Sequence, residues 1–193
     1  MRSECRRLGR DTAGSLCKNA RQPSPGGRQS DMPRAFSWEM MLAAGVANMA
    51  INVIRATETW QQAGAYYVRI QGMARQHGIT LRREFDGHDA PDTKYIVLTD
   101  DDFPVATCRF YQVDDASAMI GRVVVLPEYR GKGLGRRVVK EAEAWLRELG
   151  YAKAVIESRD VAVAFYEKLG YVVTDLNIIH GVTFDCIRME KAL

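Results

Sequence analysis

At 193 residues with 47% hydrophobic side chains, the chain can bury one substantial core and is too short for two ordinary enzyme domains. Its net charge of +3 is uneven: residues 1–34 hold eight Lys and Arg against three acidic residues, so the rest carries −2, and the basic character is a property of the tail that makes only a weak argument for nucleic-acid binding. Cys5, Cys17, Cys108 and Cys186 have neither metal-ligand spacing nor disulfide-framework density, which points to reduced thiols in a cytoplasmic protein without a metal.

Residues 1–50 begin with a mixture of Arg, Ser, Gly, Pro and Gln that contains few large apolar groups before Phe36, so a disordered extension is expected ahead of one domain over residues 51–193. The apolar stretch 38–50 is too short to span a bilayer and too far from the N-terminus for a secretory signal, which gives no membrane role. Met49 reads as an alternative start, because residues 52–56 have the pattern of a first strand. Thr57 is placed to cap a helix carrying Trp60, Ala63, Tyr67, Ile70, Met73 and Ala74, which ends near His77-Gly78. An acid-rich loop over 82–92 leads to a strand at 95–98, a turn at Asp100-Asp101-Asp102, and a hairpin partner at 105–111.

Residues 119–126 read as a further strand. The helix that follows carries Leu134, Val138, Ala142, Trp145, Leu146 and Leu149 on one face and is closed by Gly150. A buried strand at 152–156, a helix at 160–169 closed by Gly170, and strands at 172–173 and 183–189 around a 176–180 connection complete the chain. The order predicts an α/β fold with a mixed, partly antiparallel central sheet flanked by helices.

Between the 119–126 strand and its helix stands Arg130-Gly131-Lys132-Gly133-Leu134-Gly135-Arg136. Three alternate glycines remove the side chains that would keep a ligand off the main chain, and the helix N-terminus leaves N–H groups without intrahelical partners. With Arg130, Lys132, Arg136 and Arg137 around it, the turn is built for a polyanion such as a diphosphate. It has neither the Ser/Thr after Gly-Lys of the nucleotide-triphosphatase loop nor dinucleotide-fingerprint spacing.

Arg130-x-x-Gly133-x-Gly135, preceded by Val-x-Pro and followed by a helix, resembles the acetyl-coenzyme-A signature of the GNAT acyltransferase superfamily. Phe165-Tyr166-Glu167-Lys168-Leu169-Gly170-Tyr171 resembles the segment those families carry one strand later. The resemblance covers about residues 51–193 and implies an acetyl-coenzyme-A-dependent N-acetyltransferase in which a primary amine of a small molecule or protein attacks the thioester directly. It also implies that Val123, Val124 and Val125 lie along the pantetheine arm, with Arg130, Gly131, Lys132, Gly133, Leu134, Gly135 and Arg136 around the diphosphate. By the same resemblance Tyr166 is the general acid, the Val125 N–H faces the oxyanion, and a homodimer is a common assembly.

Glu84, Asp86 and Asp89 resemble the acidic cluster of a YjcF/ElaA-like subgroup, which implies an acidic acceptor mouth with Glu84 as base; Glu157 is a second candidate. Departures from the pattern are Arg159, where many members carry Asn, and Lys94 and Cys186, where the subgroup often carries His. These departures keep open an alternative, a non-catalytic sensor of acyl-coenzyme A. His77, His88 and His180 have no metal-ligand spacing.

Overall fold

The computed structural model describes residues 50–181 and 183–193, so the expected disordered extension and the Met49 start fall outside the described residues. β1 (Ile51–Arg55) is followed by α1 (Thr59–Arg69), which continues through a π-helical turn, Ile70–Ala74, into a last turn, Arg75–His77. Next come α2 (Leu81–Glu84), β2 (Lys94–Asp100), β3 (Phe103–Gln112) and β4 (Ser117–Val125). A 3₁₀ turn, Pro127–Tyr129, precedes α3 (Leu134–Glu148) and β5 (Lys153–Arg159). A second 3₁₀ turn, Asp160–Ala162, opens α4 (Val163–Glu167), and β6 (Val172–His180) and β7 (Asp185–Ala192) finish the chain.

The seven strands form one sheet in the order β1-β2-β3-β4-β5-β7-β6. Every neighbouring pair is antiparallel except β4 and β5, which the α3 crossover joins in parallel. Asp101 and Asp102, both at positive φ (46° and 65°), make the tight turn between β2 and β3. Alternation along β2 separates the layers: Ile96 and Leu98 join the core with Val138, Ala142 and Leu146 of α3, whereas Tyr95 and Val97 pack with Ala65 of α1. The two helices therefore cover opposite faces of the sheet.

Two sequence expectations change. The first helix is capped by Glu58 rather than Thr57, because Glu58 and Gln61 form a reciprocal capping box. The supposed connection 176–180 belongs to β6, an edge strand whose irregular register with β7 and exposed side chains erase the alternation by which a strand is read.

The π-helical turn brings the first helix close against β4. A Cβ on Gly72 would lie 2.6 Å from Val124 Cγ1. Just before it, fully buried Arg69 donates from Nε to Glu84 Oε1 (2.8 Å) and from Nη1 to Asp89 Oδ1 (2.5 Å). Asp89 also accepts from the Tyr95 hydroxyl (2.6 Å) and forms a close ion pair with Arg109 Nη1 (2.7 Å). Arg109 and Arg122 both donate to Asp86 Oδ2, at 2.7 and 2.9 Å. Arg122 Nε is 3.3 Å from Glu84 Oε1. Three arginines thus neutralise three carboxylates, tying the 84–89 loop to α1, β3 and β4.

Burial pushes the carboxyls of Asp86 and Asp89 up. Hydrogen bonds from Arg109 to both, and from Arg69 and Tyr95 to Asp89, outweigh that and hold them below the usual carboxylate range. Their contribution to stability is therefore complete above the unfolded carboxylate pKa, about 4, and is lost as pH falls through the lower folded values.

Arg69→Met should cost about 3–5 kcal/mol at pH 7 by leaving buried carboxylates without their cation, and the deficit in urea denaturation should shrink below about pH 4. Gly72→Ala should cost about 1–3 kcal/mol by overpacking Val124. Gly87→Ala, where a Cβ meets nothing within 4 Å, should stay within about 0.5 kcal/mol of the parent in the same titration.

Candidate active site

β4 and β5 pair over three rungs only, Ser117↔Lys153, Ala118↔Ala154 and Met119↔Val155, and then part. On its other edge β4 stays bonded to β3 as far as Val125, and β5 stays bonded to β7 through Arg159. The parting continues through an irregularity in β4 just beyond the last rung: the β3 register shifts between Thr107 and Arg109, and Arg122 adopts φ 51°, a left-handed conformation uncommon for a side chain of its size. Arg122 is also the β4 member of the ionic network, so loop 84–89 holds the bulge from one side.

Hydrogen-bond parity fixes what faces the opening. Leu126 N–H donates to Val105 O (3.0 Å), so Leu126 and Val124 direct their main-chain groups toward β3, and Val123 and Val125 direct theirs into the gap. The Val125 carbonyl is already taken by Arg130 Nε at 3.1 Å. The Val123 C=O and the Val125 N–H, opposite the Val124 groups in the two peptide planes that flank Val124, therefore remain on the open edge, while the Val124 side chain packs on Gly72.

At the end of β4 the chain turns through Gly131 (φ 76°) and Gly133 (φ 80°), and a Cβ on either would meet nothing within 4 Å. These positions need glycine for their left-handed backbone, and the space above them is open. The helical ladder of α3 starts with Arg137 N–H to Gly133 O (3.1 Å), which leaves the N–H groups of Leu134, Gly135 and Arg136 without intrahelical partners. Leu134 sends its side chain into the core, and Arg136 and Arg137 are exposed beside the turn.

Arg130 departs from the expected diphosphate contact. Its Nη2 donates to Gln76 Oε1 (2.8 Å) and Gly72 O (3.4 Å), so its side chain turns back toward the π-helical turn. Lys132 lies with Nζ 4.8 Å from the Tyr129 ring centre, and the Tyr129 hydroxyl donates to Asp100 at 3.0 Å.

The two sequence segments meet directly. A Cβ on Gly135 would sit 3.5 Å from Phe165 Cζ, and Phe165 packs edge-to-face on Tyr166 at 4.9 Å between ring centres. Tyr166 is 8% exposed, and its hydroxyl has no hydrogen-bond partner among the described residues. Burial, then proximity to Cys108 and Cys186, pushes the phenol above its ordinary pKa, so it keeps its proton.

Glu84 is placed differently from the expected acceptor mouth. It is 3% exposed and committed to Arg69 and Arg122, and its neighbours Asp86 and Asp89 are equally paired, so the cluster presents a neutralised wall. Glu157 lies on β5 beyond the last rung with β4 and is exposed, on the sheet face opposite buried Ala154, Ile156 and Ser158. Its carboxylate makes no hydrogen bond or salt bridge among the described residues. It is close enough to Tyr111 and Cys186 to raise both side-chain pKa values, behind the larger effect of burial.

Arg159 lies 3.7 Å from the ring centre of Phe184, whose edge meets His77 at 5.0 Å. Lys94 reaches the Trp145 ring on the α3 face, away from the acidic loop. His88 stacks on Tyr111 at 3.9 Å, and exposed His180 lies 3.1 Å from Asp185. Sequence reading missed the arginine half of the network. Its signal was present in Val68-Arg69-Ile70, Cys108-Arg109-Phe110 and Gly121-Arg122-Val123, where cations interrupt apolar runs.

Among the described residues no helix is long and apolar enough to cross a membrane. Residues 54–171 match the profile of the acetyltransferase (GNAT) family. An uncharacterized acetyltransferase of Streptococcus pyogenes serotype M1 is 38% identical over 88 residues, a match spanning 46% of this chain and 62% of that protein. A crystal structure from Lactobacillus plantarum, provisionally named an N-acetyltransferase, is 31% identical with a TM-score of 0.70, covering 75% of this chain and 99% of that one. A GNAT family acetyltransferase from Elizabethkingia anophelis, solved with acetyl-CoA bound, shares the fold at 15% identity and a TM-score of 0.56, covering 74% and 98%. A strand that leaves its parallel neighbour beside a glycine turn, and a profile match across that whole region, have one common explanation: the chain belongs to the GNAT acetyltransferase family.

Proposed function

We propose that this protein transfers an acetyl group from acetyl-coenzyme A to a primary amine of a small molecule or protein by direct attack on the thioester. The observation that carries the reading is the opening between β4 and β5, edged by free main-chain groups and ending on a turn whose glycines leave the backbone bare. The acetyl-CoA bound to the Elizabethkingia relative supports the choice of co-substrate.

In this reading the N–H groups at the start of α3, with Arg136 and Arg137, hold the diphosphate, because a helix N-terminus and two cations favour the same anion. Val123 pairs with the pantetheine amides as a missing strand would. The Val125 N–H stabilises the oxyanion of the tetrahedral intermediate. Tyr166, held protonated by burial on the α3 face, donates to the departing thiolate.

On the opposite face, Glu157 takes the proton of the attacking ammonium, directly or through water. The geometry favours it over Glu84, whose carboxylate is occupied by arginines. An unpaired carboxylate on the acceptor side also favours a cationic amine over an anionic acceptor.

Gly133→Glu places a side chain and a negative charge where the diphosphate would sit, so calorimetry should show loss of acetyl-coenzyme A binding while Tm falls by only about a few degrees. Tyr166→Phe and Glu157→Gln should each lower amine-dependent thiol release by about 10²-fold or more, with acetyl-coenzyme A affinity retained. Unchanged coenzyme affinity in the glycine variant would remove the site assignment. Coenzyme binding by the parent without thiol release across a panel of amines would identify a sensor instead.

A further inference from the structure

On the α1 face, away from the β4–β5 opening, a cavity of about 230 Å³ lies between α1 and strands β1 to β3. Its walls are aromatic: Trp60 and Phe103 are 53% and 58% exposed, and Phe103 meets Tyr67 edge-to-face at 5.5 Å. Aromatic groups left this open around one cavity form a surface with capacity for a partner.

Two polar features give the cavity chemical direction. Thr99, 2% exposed, lines it, and its Oγ1 has no hydrogen-bond partner among the described residues. The β2–β3 register slips at this point, and Thr99 stands opposite Pro104, which has no N–H to offer. A buried hydroxyl without a partner is costly, and a ligand group bonding to it recovers that cost.

At the rim stands exposed Asp102, fixed by the tight turn, and exposed Glu58 accepts from the indole N–H of the lining residue Trp60 at 2.6 Å. No Lys, Arg or His is among the lining residues. Aromatic faces and carboxylates without a local cation attract an organic ammonium.

We propose that this cavity is a second ligand site, separate from the coenzyme opening, for a small arylalkyl amine with a hydroxyl at its far end. The ring packs against Trp60, Tyr67 and Phe103, the hydroxyl reaches Thr99, and the ammonium meets Asp102.

Tyramine is the probe, titrated calorimetrically into the full chain with acetyl-coenzyme A absent. Saturable binding is expected, with 4-ethylphenol and phenethylamine each about tenfold weaker because one lacks the ammonium and the other the hydroxyl. Asp102→Asn, which keeps a residue tolerant of the left-handed turn, should erase the preference for tyramine over 4-ethylphenol. Thr99→Val should erase the preference over phenethylamine.

Ala63→Phe, a substitution at an exposed α1 position facing the cavity, should abolish tyramine binding with unchanged Tm and acetyl-coenzyme A affinity. No saturable heat up to about 10 mM, a range that captures the weakest useful site, overturns the proposal. So does tyramine binding that survives both Ala63→Phe and Asp102→Asn, which would place the amine elsewhere. Acetyl-coenzyme A affinity, read in the same samples, keeps this outcome separate from the fate of the acetyl-transfer reading.

Discussion

Main-chain groups in the middle of a sheet need partners, and β4 gives up those of β5 after Met119. Everything specific about the molecule is arranged around that loss. The strand cannot simply fray, because β3 holds its other edge to Val125 and the π-helical turn presses Gly72 onto Val124. It bends instead, at Arg122, whose left-handed backbone is a conformation that surrounding structure must impose. The six-member ionic network supplies that constraint. Its arginines come from α1, β3 and β4 and its carboxylates from the end of α2 and the short loop after it, so loop, helices and bulge share one set of bonds.

In the proposed reaction the same geometry would divide labour between the faces of the sheet. Tyr166 belongs to the core beneath α3, where burial keeps its phenol protonated. Glu157 belongs to the other face, in water. A molecule threaded through the opening would find a proton donor on one side and a proton acceptor on the other, with the Val125 amide at the edge between them. Arg130 contributes to this frame by spanning from the Val125 carbonyl to Gly72 and Gln76, so the residue that opens the glycine signature braces the strand end.

The sequence made some of this legible and hid the rest, for physical reasons. The α3 helix and the glycine turn were readable because their information is local: an apolar stripe at helical spacing, and glycines at alternate positions. The β2–β3 hairpin was readable for the same reason. The parting of β4 from β5 leaves no local trace, since it is a statement about which strand is missing a neighbour. The role of Glu84 was equally hidden. Glu-x-Asp-x-x-Asp reads identically whether solvent or three distant arginines face it, and only the fold brings Arg69, Arg109 and Arg122 within reach. Strand β6 was half lost because an exposed edge strand needs no apolar alternation to persist.

Phe184, at the tip between β6 and β7, lies with its ring between Arg159 and His77. On the α1 face it spans the distance from the β5–β7 half of the sheet to the first helix, past the point where strand bonds have ended. Ring-edge and cation–ring contacts of this kind contribute about 1 kcal/mol each, far less than a ladder of main-chain bonds. While the core beneath α3 joins both halves of the sheet on one face, on the other this ring is an aromatic clasp whose contacts amount to a few multiples of thermal energy.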